Sequence, residues 1–232
     1  MPLLGEGLLA IWNDIAPEAE AAFAEWHVRE HIPERVGVAG FLRGRRYAAV
    51  EGTPKYFNFY ETRTPDTLRS AAYVERLNAP SDWTKRVVAH FKNTSRTICA
   101  VTRSFGIGGG AHIATFRATS GMAPARFAAN IARVLGDAMA APGIVGAHLA
   151  AGEAPPPGAP TAEMKLRGGT DATIGWLIMV EAVGVDALFA ACDAVLQAPF
   201  LQDAGVERFE RGVYSLQYTL SAEELRQTVP TR

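Results

Sequence analysis

The feature that most constrains this chain is that it runs through one order of elements twice. Apolar strand character spans Gly7 to Ile15, and a helical pattern opens at Pro17. Strand signals return over Phe41–Val50 and Tyr56–Thr62, around a Glu51-Gly52-Thr53-Pro54 turn. A second helix is predicted from Thr64 to about Leu77, where Pro80 breaks it. A further helical stretch covers about Asp82 to His90, and Thr94–Ser104 reads as a closing strand. The second half repeats the order, with a strand over Ala111–Ala118 and a helix over Ala123–Ala141. Strands over Ile144–Ala151 and Thr173–Val183, a helix over Asp186–Gln197 and a strand over Gly212–Leu220 complete it. Single residues keep step: Phe23 matches Phe127, and Gly40 matches Gly143. Beyond a Pro/Gly-rich insertion between Glu153 and Gly169, Glu61 matches Glu181, Asp66 matches Asp186 and Pro80 matches Pro199. A duplicated unit accounts for the ordered set.

Strand, helix, strand, strand, helix, strand is the βαββαβ, or ferredoxin-like, pattern. The fold class expected is therefore α+β, with two tandem ferredoxin-like units over residues 1–106 and 107–232, joined at Ile107–Gly110. Each four-stranded antiparallel sheet carries both helices on one face and leaves the other open. Exposing that much apolar surface is unfavourable. Two sheets in one chain can cover each other, or close into a barrel.

Composition narrows the function. The 232 residues carry 23 Lys+Arg and 24 Asp+Glu, a formal charge of −1, so no general attraction to nucleic acid or anionic membrane is expected. The partner expected is a small molecule. No signal peptide is read in Met1–Asp14, and no apolar run is long enough for a membrane span, so a cytoplasmic location is expected. Cys99 and Cys192 form no disulfide framework, and Cys99 reads as a small buried hydrophobe. There is no GxGxxG after a strand, no P-loop and no GxSxG elbow. The glycines from Gly106 to Gly110 lack the Lys-Ser/Thr of a phosphate loop.

The halves differ in chemistry. The first holds Trp12, Trp26, His27, His31, His90 and the aromatic run Tyr56-Phe57-Asn58-Phe59-Tyr60. Where it has Trp26, His27 and His31, the second has Asn130, Ile131 and Leu135. The first half is therefore read as the working half. His27 and His31 stand four apart on one helix face. Such a pair can bind a divalent metal if Glu30 or Glu61 completes the set, or can serve as acid/base, since histidine titrates nearest neutrality. Pro33 is expected to end the helix, which would make His31 a C-terminal residue favoured there as a cation. Arg43 and Arg45 share one strand face and Arg46 takes the other. An arginine in an aromatic pocket would bind a carboxylate or enolate, and the alternative is a charge-protected strand edge. Tyr47, Tyr56 and Tyr60 are hydrogen-bond donors to a substrate or core packing.

The segment FAEWHVREHIPER followed by GFLRGRRY resembles the helix and second strand of the dimeric α+β barrel superfamily, in particular its EthD-like and related branches. The matching positions are Trp26, His31, Pro33, Gly40, Phe41 and Arg43. The likeness covers residues 7–104 by motif and the rest by the repeat alone. The second half lacks Trp-His-Pro, which leaves one candidate pocket per chain. The resemblance implies ferredoxin-like units paired into a barrel, with a cleft between sheet and helices for small, often aromatic molecules. Activities it implies include lactone isomerisation, polyketide cyclisation, cofactor-free monooxygenation and haem chemistry. In haem-bearing relatives the proximal histidine lies in the second unit, where this chain offers only His112 and His148.

The expectation is an isomerase- or lyase-type enzyme moving protons on an oxygenated substrate. His31, or His27, is its acid/base, and Glu30 or Glu61 orients it. Trp12, Trp26, Tyr56 and Tyr60 shape the pocket, and Arg45 or Asn13 polarises a carbonyl. No cofactor and no metal is required, with haem or a divalent metal as alternatives. A cofactor-free monooxygenase and a non-catalytic binding or stress-response protein are the competing functions. A homodimer or larger assembly is expected.

Overall fold

The computed structural model describes residues 3–155, 158–168 and 171–228. Pro156, Pro157 and Gly169 of the Pro/Gly-rich insertion lie outside the described residues.

Eight antiparallel strands form one closed barrel. The first unit supplies β1 (Gly7–Ile15), β2 (Phe41–Glu51), β3 (Tyr56–Thr62) and β4 (Phe91–Gly106). The second supplies β5 (His112–Thr119), β6 (Ile144–Gly152), β7 (Trp176–Ala182) and β8 (Arg208–Ser221). The order around the barrel is β1-β3-β2-β8-β5-β7-β6-β4. Within each unit the strands therefore run fourth, first, third, second, the ferredoxin-like order. The units join at β2–β8, with Arg45 opposite Thr219, and at β4–β6, with Val101 opposite Ala150. Closure leaves no sheet edge unpaired. It also buries the open faces that each isolated unit would expose.

Alternation along the strands sorts side chains into two compartments. Leu8, Ala10, Trp12, Tyr47, Phe57 and Phe59 from the first unit meet Ile113, Leu177, Met179 and Tyr214 from the second inside the barrel. The outward residues of each sheet meet that unit's helices. In the second unit, α5 (Pro124–Met139) and α7 (Val185–Val195) close over an apolar layer that includes Phe116, Phe127, Ile131, Leu135, Ile178 and Leu188. In the first unit the layer is split into two clusters around the helices.

The first helix departs from expectation. It does not end at Pro33. It runs as α1 (Glu20–Trp26), a π-helical turn over His27–His31, and α2 (Ile32–Val36). The Ile32 amide donates to the His27 carbonyl, five residues back. A proline ring in a regular helix presses on the carbonyl four residues back, here Arg29, and one wider turn relieves that contact. His31 therefore sits mid-helix, and the expected C-terminal role falls away. The matching α5 is a single regular helix.

The second helix of the first unit is a 3-10 turn (Pro65–Arg69) followed by α3 (Ala71–Asn78), capped by Ser70, and α4 (Asp82–Val88), capped by Ser81. Three short helices were not anticipated: α6 (Ala162–Leu166) inside the insertion, α8 (Ala198–Asp203) and α9 (Ala222–Thr228). No helix among the described residues is long and apolar enough to cross a membrane.

Candidate active site

The π turn stacks His27 and His31 with ring centroids 5.4 Å apart and lays His31 4.3 Å from Trp26. Both imidazoles are buried, and neither Nδ1 has a hydrogen-bond partner. Burial holds both pKa values well below the usual histidine range. Arg46 and then Arg35 add to the effect on His27, and Arg35 leads the further causes for His31. Both rings are therefore neutral at pH 7.

His31 lines a cavity of about 30 Å³ under the helices. Leu9 and Ile11 of β1, Tyr60 of β3, and Thr94 and Arg96 of β4 form its floor; Trp26, Arg35, Tyr73, Leu77 and Val88 form its walls. The Tyr60 hydroxyl is buried without a partner, and burial raises its pKa. Arg35 stands one turn beyond His31 and its guanidinium lies 5.8 Å from the Tyr73 ring. Arg96 donates to the Tyr73 hydroxyl at 2.9 Å. The roof is α6, which brings Glu163 onto Arg35 and Arg167 to the cavity edge.

The residues singled out from the sequence divide between the two compartments. Trp26, His31 and Tyr60 line the cavity. His27 lies beside it, stacked on Phe23 at 5.1 Å. Tyr56 also packs on Phe23, at 4.7 Å, and does not line the cavity. Asn13 faces outward too, but it is engaged by the Asn58 amide at 3.1 Å and reaches no cavity atom. Trp12, Arg45 and Glu61 are on the opposite face of the sheet, inside the barrel, so they cannot join His31 in one pocket. The reason is strand parity: Trp12 is one residue from the outward Ile11, and Glu61 one from Tyr60.

Inside the barrel these charges form their own cluster. Arg45 bonds Glu181 at 2.9 Å and lies 3.2 Å from Glu61, which also takes Arg43 at 2.6 Å. His148 Nε2 stands 3.3 Å from Glu181. The helix-side arginine is Arg46, which donates to the Ala24 carbonyl and lies over Phe23.

Glu30 also has a different partner from the one expected. It accepts from the Trp26 indole at 3.2 Å, from the Thr84 hydroxyl at 3.1 Å and from Ser81 at 2.5 Å, and bonds neither histidine. It ties α1 to the start of α4. Ser81 also caps α4 by accepting from the Thr84 amide at 3.0 Å. Ser81→Ala is therefore expected to cost about 1 kcal/mol in a urea melt through the lost cap. It should leave any pH profile of the site unmoved.

Sequence reasoning missed Arg35, Tyr73, Arg96 and Glu163. Two of them left a signal. Arg35 follows His31 at helical spacing, hidden by the expectation that Pro33 ends the helix. Arg96 shares its strand face with the buried Ile98. Glu163 left none, because nothing in the insertion says where it folds.

Among the described residues no three His, Cys, Asp or Glu side chains gather as a metal site. The second unit, where haem-bearing relatives place the proximal histidine, does not fit haem. The second unit's cleft is filled by Leu135, Ile131, Phe127 and Phe116, all fully buried. His148 is inside the barrel, and His112, at the start of β5, is 2.9 Å from the Ser215 hydroxyl.

No family model and no curated protein matches this chain. Solved structures do. An anthrone oxidase-like protein superposes with a TM-score of 0.62 at 13% identity, covering 94% of each chain. A heme-binding protein from Thermus thermophilus superposes with a TM-score of 0.53 at 12% identity, covering 96% of this chain and 94% of that one. At such identities the likeness is one of fold.

Proposed function

We propose that this chain, a dimeric α+β barrel closed within a single polypeptide, is an enzyme that removes a proton from an oxygenated, enolisable ring substrate. The observation that carries the reading is that His31 and Tyr60 line one cavity, with the His31 Nδ1 and the Tyr60 hydroxyl both buried and unpartnered. A neutral imidazole with a free lone pair is a general base, and a hydroxyl beside it can donate to the oxygen on which charge develops. Arg35 and Arg96 add positive potential at that oxygen. Trp26 and Tyr73 supply flat apolar walls suited to a ring. Tyr60 is suited to donating because its raised pKa keeps it protonated.

Two fates of the carbanion are open to this site. Reprotonation at another carbon gives isomerisation or ring closure. Reaction with dioxygen converts a ring CH2 to C=O, taking up one O2 and releasing one water. The anthrone oxidase-like neighbour favours the second fate as an alternative. Neither fate routes a step through haem.

The test is to incubate the protein with anthrone and with a panel of enolisable cyclic ketones in D2O. Mass spectrometry follows exchange of the acidic C–H, and an electrode follows oxygen. Exchange above the buffer rate, without oxygen uptake, is the expected result. Uptake with anthrone moves the reading to the oxygenase. A protein that retains a co-purified ligand but catalyses neither is a binding module, and the proposal fails.

A further inference from the structure

The insertion between β6 and β7 has no counterpart in the first unit, yet its helix α6 seats over the first unit's cleft. It packs there on α3 and α4. Three contacts hold it: the Ala162 amide donates to Asn78 Oδ1 at 3.1 Å, Leu166 packs against the apolar cluster that includes Trp26 and Val88, and Glu163 meets Arg35. Glu163 and Arg35 are both almost wholly buried. A guanidinium in such a place needs an anion. Among the described residues of its own unit, the one carboxylate paired with Arg35 is Glu34, at 3.4 Å and partly exposed. Arg96, facing the same space, spends one donor on Tyr73. Arg167 is held by Asp171 at 2.7 Å and also lies 3.9 Å from Glu163.

We infer that the Glu163 carboxylate holds the place of a ligand's anionic group: the cleft takes a planar aromatic carboxylate or enolate on Arg35 and Arg96, and α6 withdraws to admit it. This rests on the cleft being the working site, as proposed above, and names its substrate class. Three observations carry it. The free space beneath α6 is about 30 Å³, room for a water and no ring, so a ring enters only if an element around it moves, and α6 is the one contributed from outside the unit. His31 and Tyr60 line that space with their Nδ1 and hydroxyl buried and unpartnered, so a polar ligand that opens it meets two unsatisfied groups. And the charge there is arranged for exchange: the Glu163 carboxylate sits on Arg35 with Arg167 3.9 Å away, so a ligand carboxylate taking its place would leave both guanidinium groups facing an anion.

The test is calorimetric titration at pH 7.5 with 2-naphthoate, and with the uncharged 2-naphthamide as control. In Glu163→Gln the internal competitor is gone, so 2-naphthoate is expected to bind at least ten-fold more tightly than to wild type. Binding of 2-naphthamide should change less than two-fold. Equal tightening of both probes would mean that α6 merely shields an apolar cleft. No tightening, or no 2-naphthoate binding to either protein, would mean that Glu163 is only an anchor. Each of these overturns the inference. Should Glu163→Gln not fold, Arg96→Met serves: it must weaken 2-naphthoate at least ten-fold and spare 2-naphthamide, or the anion subsite is absent. The outcomes separate from those of the catalytic reading. A wild-type protein that binds 2-naphthoate as expected but exchanges no protons loses only the proton-transfer proposal.

Discussion

Replacing His31 with alanine is expected to lower kcat/KM on an enolisable ring substrate by about 10²- to 10⁴-fold, the usual contribution of a positioned general base. The far-UV circular dichroism should be unchanged, because the ring contributes no hydrogen bond to the helix. Added imidazole should restore part of the rate through the space left beside Trp26. His27→Ala is the contrast. That ring is packed against Phe23 outside the cavity, so its loss should cost stability and less than ten-fold in rate. Equal rates for His31→Ala and wild type would remove His31 from the mechanism. The pH profile gives a second check. Burial, reinforced by Arg35, keeps the His31 ring neutral well below the usual value of 6.5, so the acid limb of kcat/KM should lie well below pH 6.5. The same depression has a stability consequence of definite sign. The unfolded chain takes up protons at His27 and His31 first as the pH falls. Their share of stability is therefore intact above 6.5 and drains away below it, towards the lowered folded values.

The second large effect lies inside the barrel. Glu181→Ala is expected to destabilise the fold by about 3–5 kcal/mol in urea, as breaking a buried ion pair does. The carboxylate serves Arg45 at 2.9 Å and the Gly110 amide at 2.8 Å, and faces His148. Arg45 would keep Glu61, but Glu61 is already shared with Arg43 and the Leu4 amide. A loss below about 1 kcal/mol, the scale of an exposed pair, would show that the cluster does not hold the two units together. Acid titration tests the same contact. Burial alone would raise the Glu181 pKa, yet His148, Arg45 and the Gly110 amide outweigh it and push it down to about 2 from 4.5. A depressed carboxylate stabilises the fold above its unfolded pKa. That stability, on the order of 3 kcal/mol, should be lost as the pH falls from about 4.5 towards 2. Glu181→Gln should flatten the slope in that window.

The repeat pairs Glu61 with Glu181, and the fold shows what the pairing means. Both carboxylates point into the barrel, and Arg45 lies between them. The pairing was legible because a duplicated unit repeats its inward positions. That the two carboxylates would meet was not, since it depends on how the two sheets close. The parity of Arg43 and Arg45 against Arg46 was likewise legible, but which face meets the helices was not. Both faces of β3 are buried, with Tyr56, Asn58 and Tyr60 on one and Phe57, Phe59 and Glu61 on the other. A strand covered on both sides carries no polar face to mark its orientation.

What the sequence determined by itself is the duplicated βαββαβ order, the strand limits of β1 and β3, and the asymmetry that puts histidines in one helix and Ile131 and Leu135 in the other. These follow from local periodicity and turn chemistry, which short stretches of chain carry whole. The tertiary structure alone decided that the helix passes through Pro33 on a π turn, and that Trp12, Arg45 and Glu61 stand across the sheet from His31. It alone placed an insertion from one unit over the cleft of the other. Each of these depends on contacts between residues far apart in the chain: Glu163 closes on Arg35 from 128 positions away. Such contacts are fixed by which buried charges and apolar faces can satisfy one another once the barrel closes.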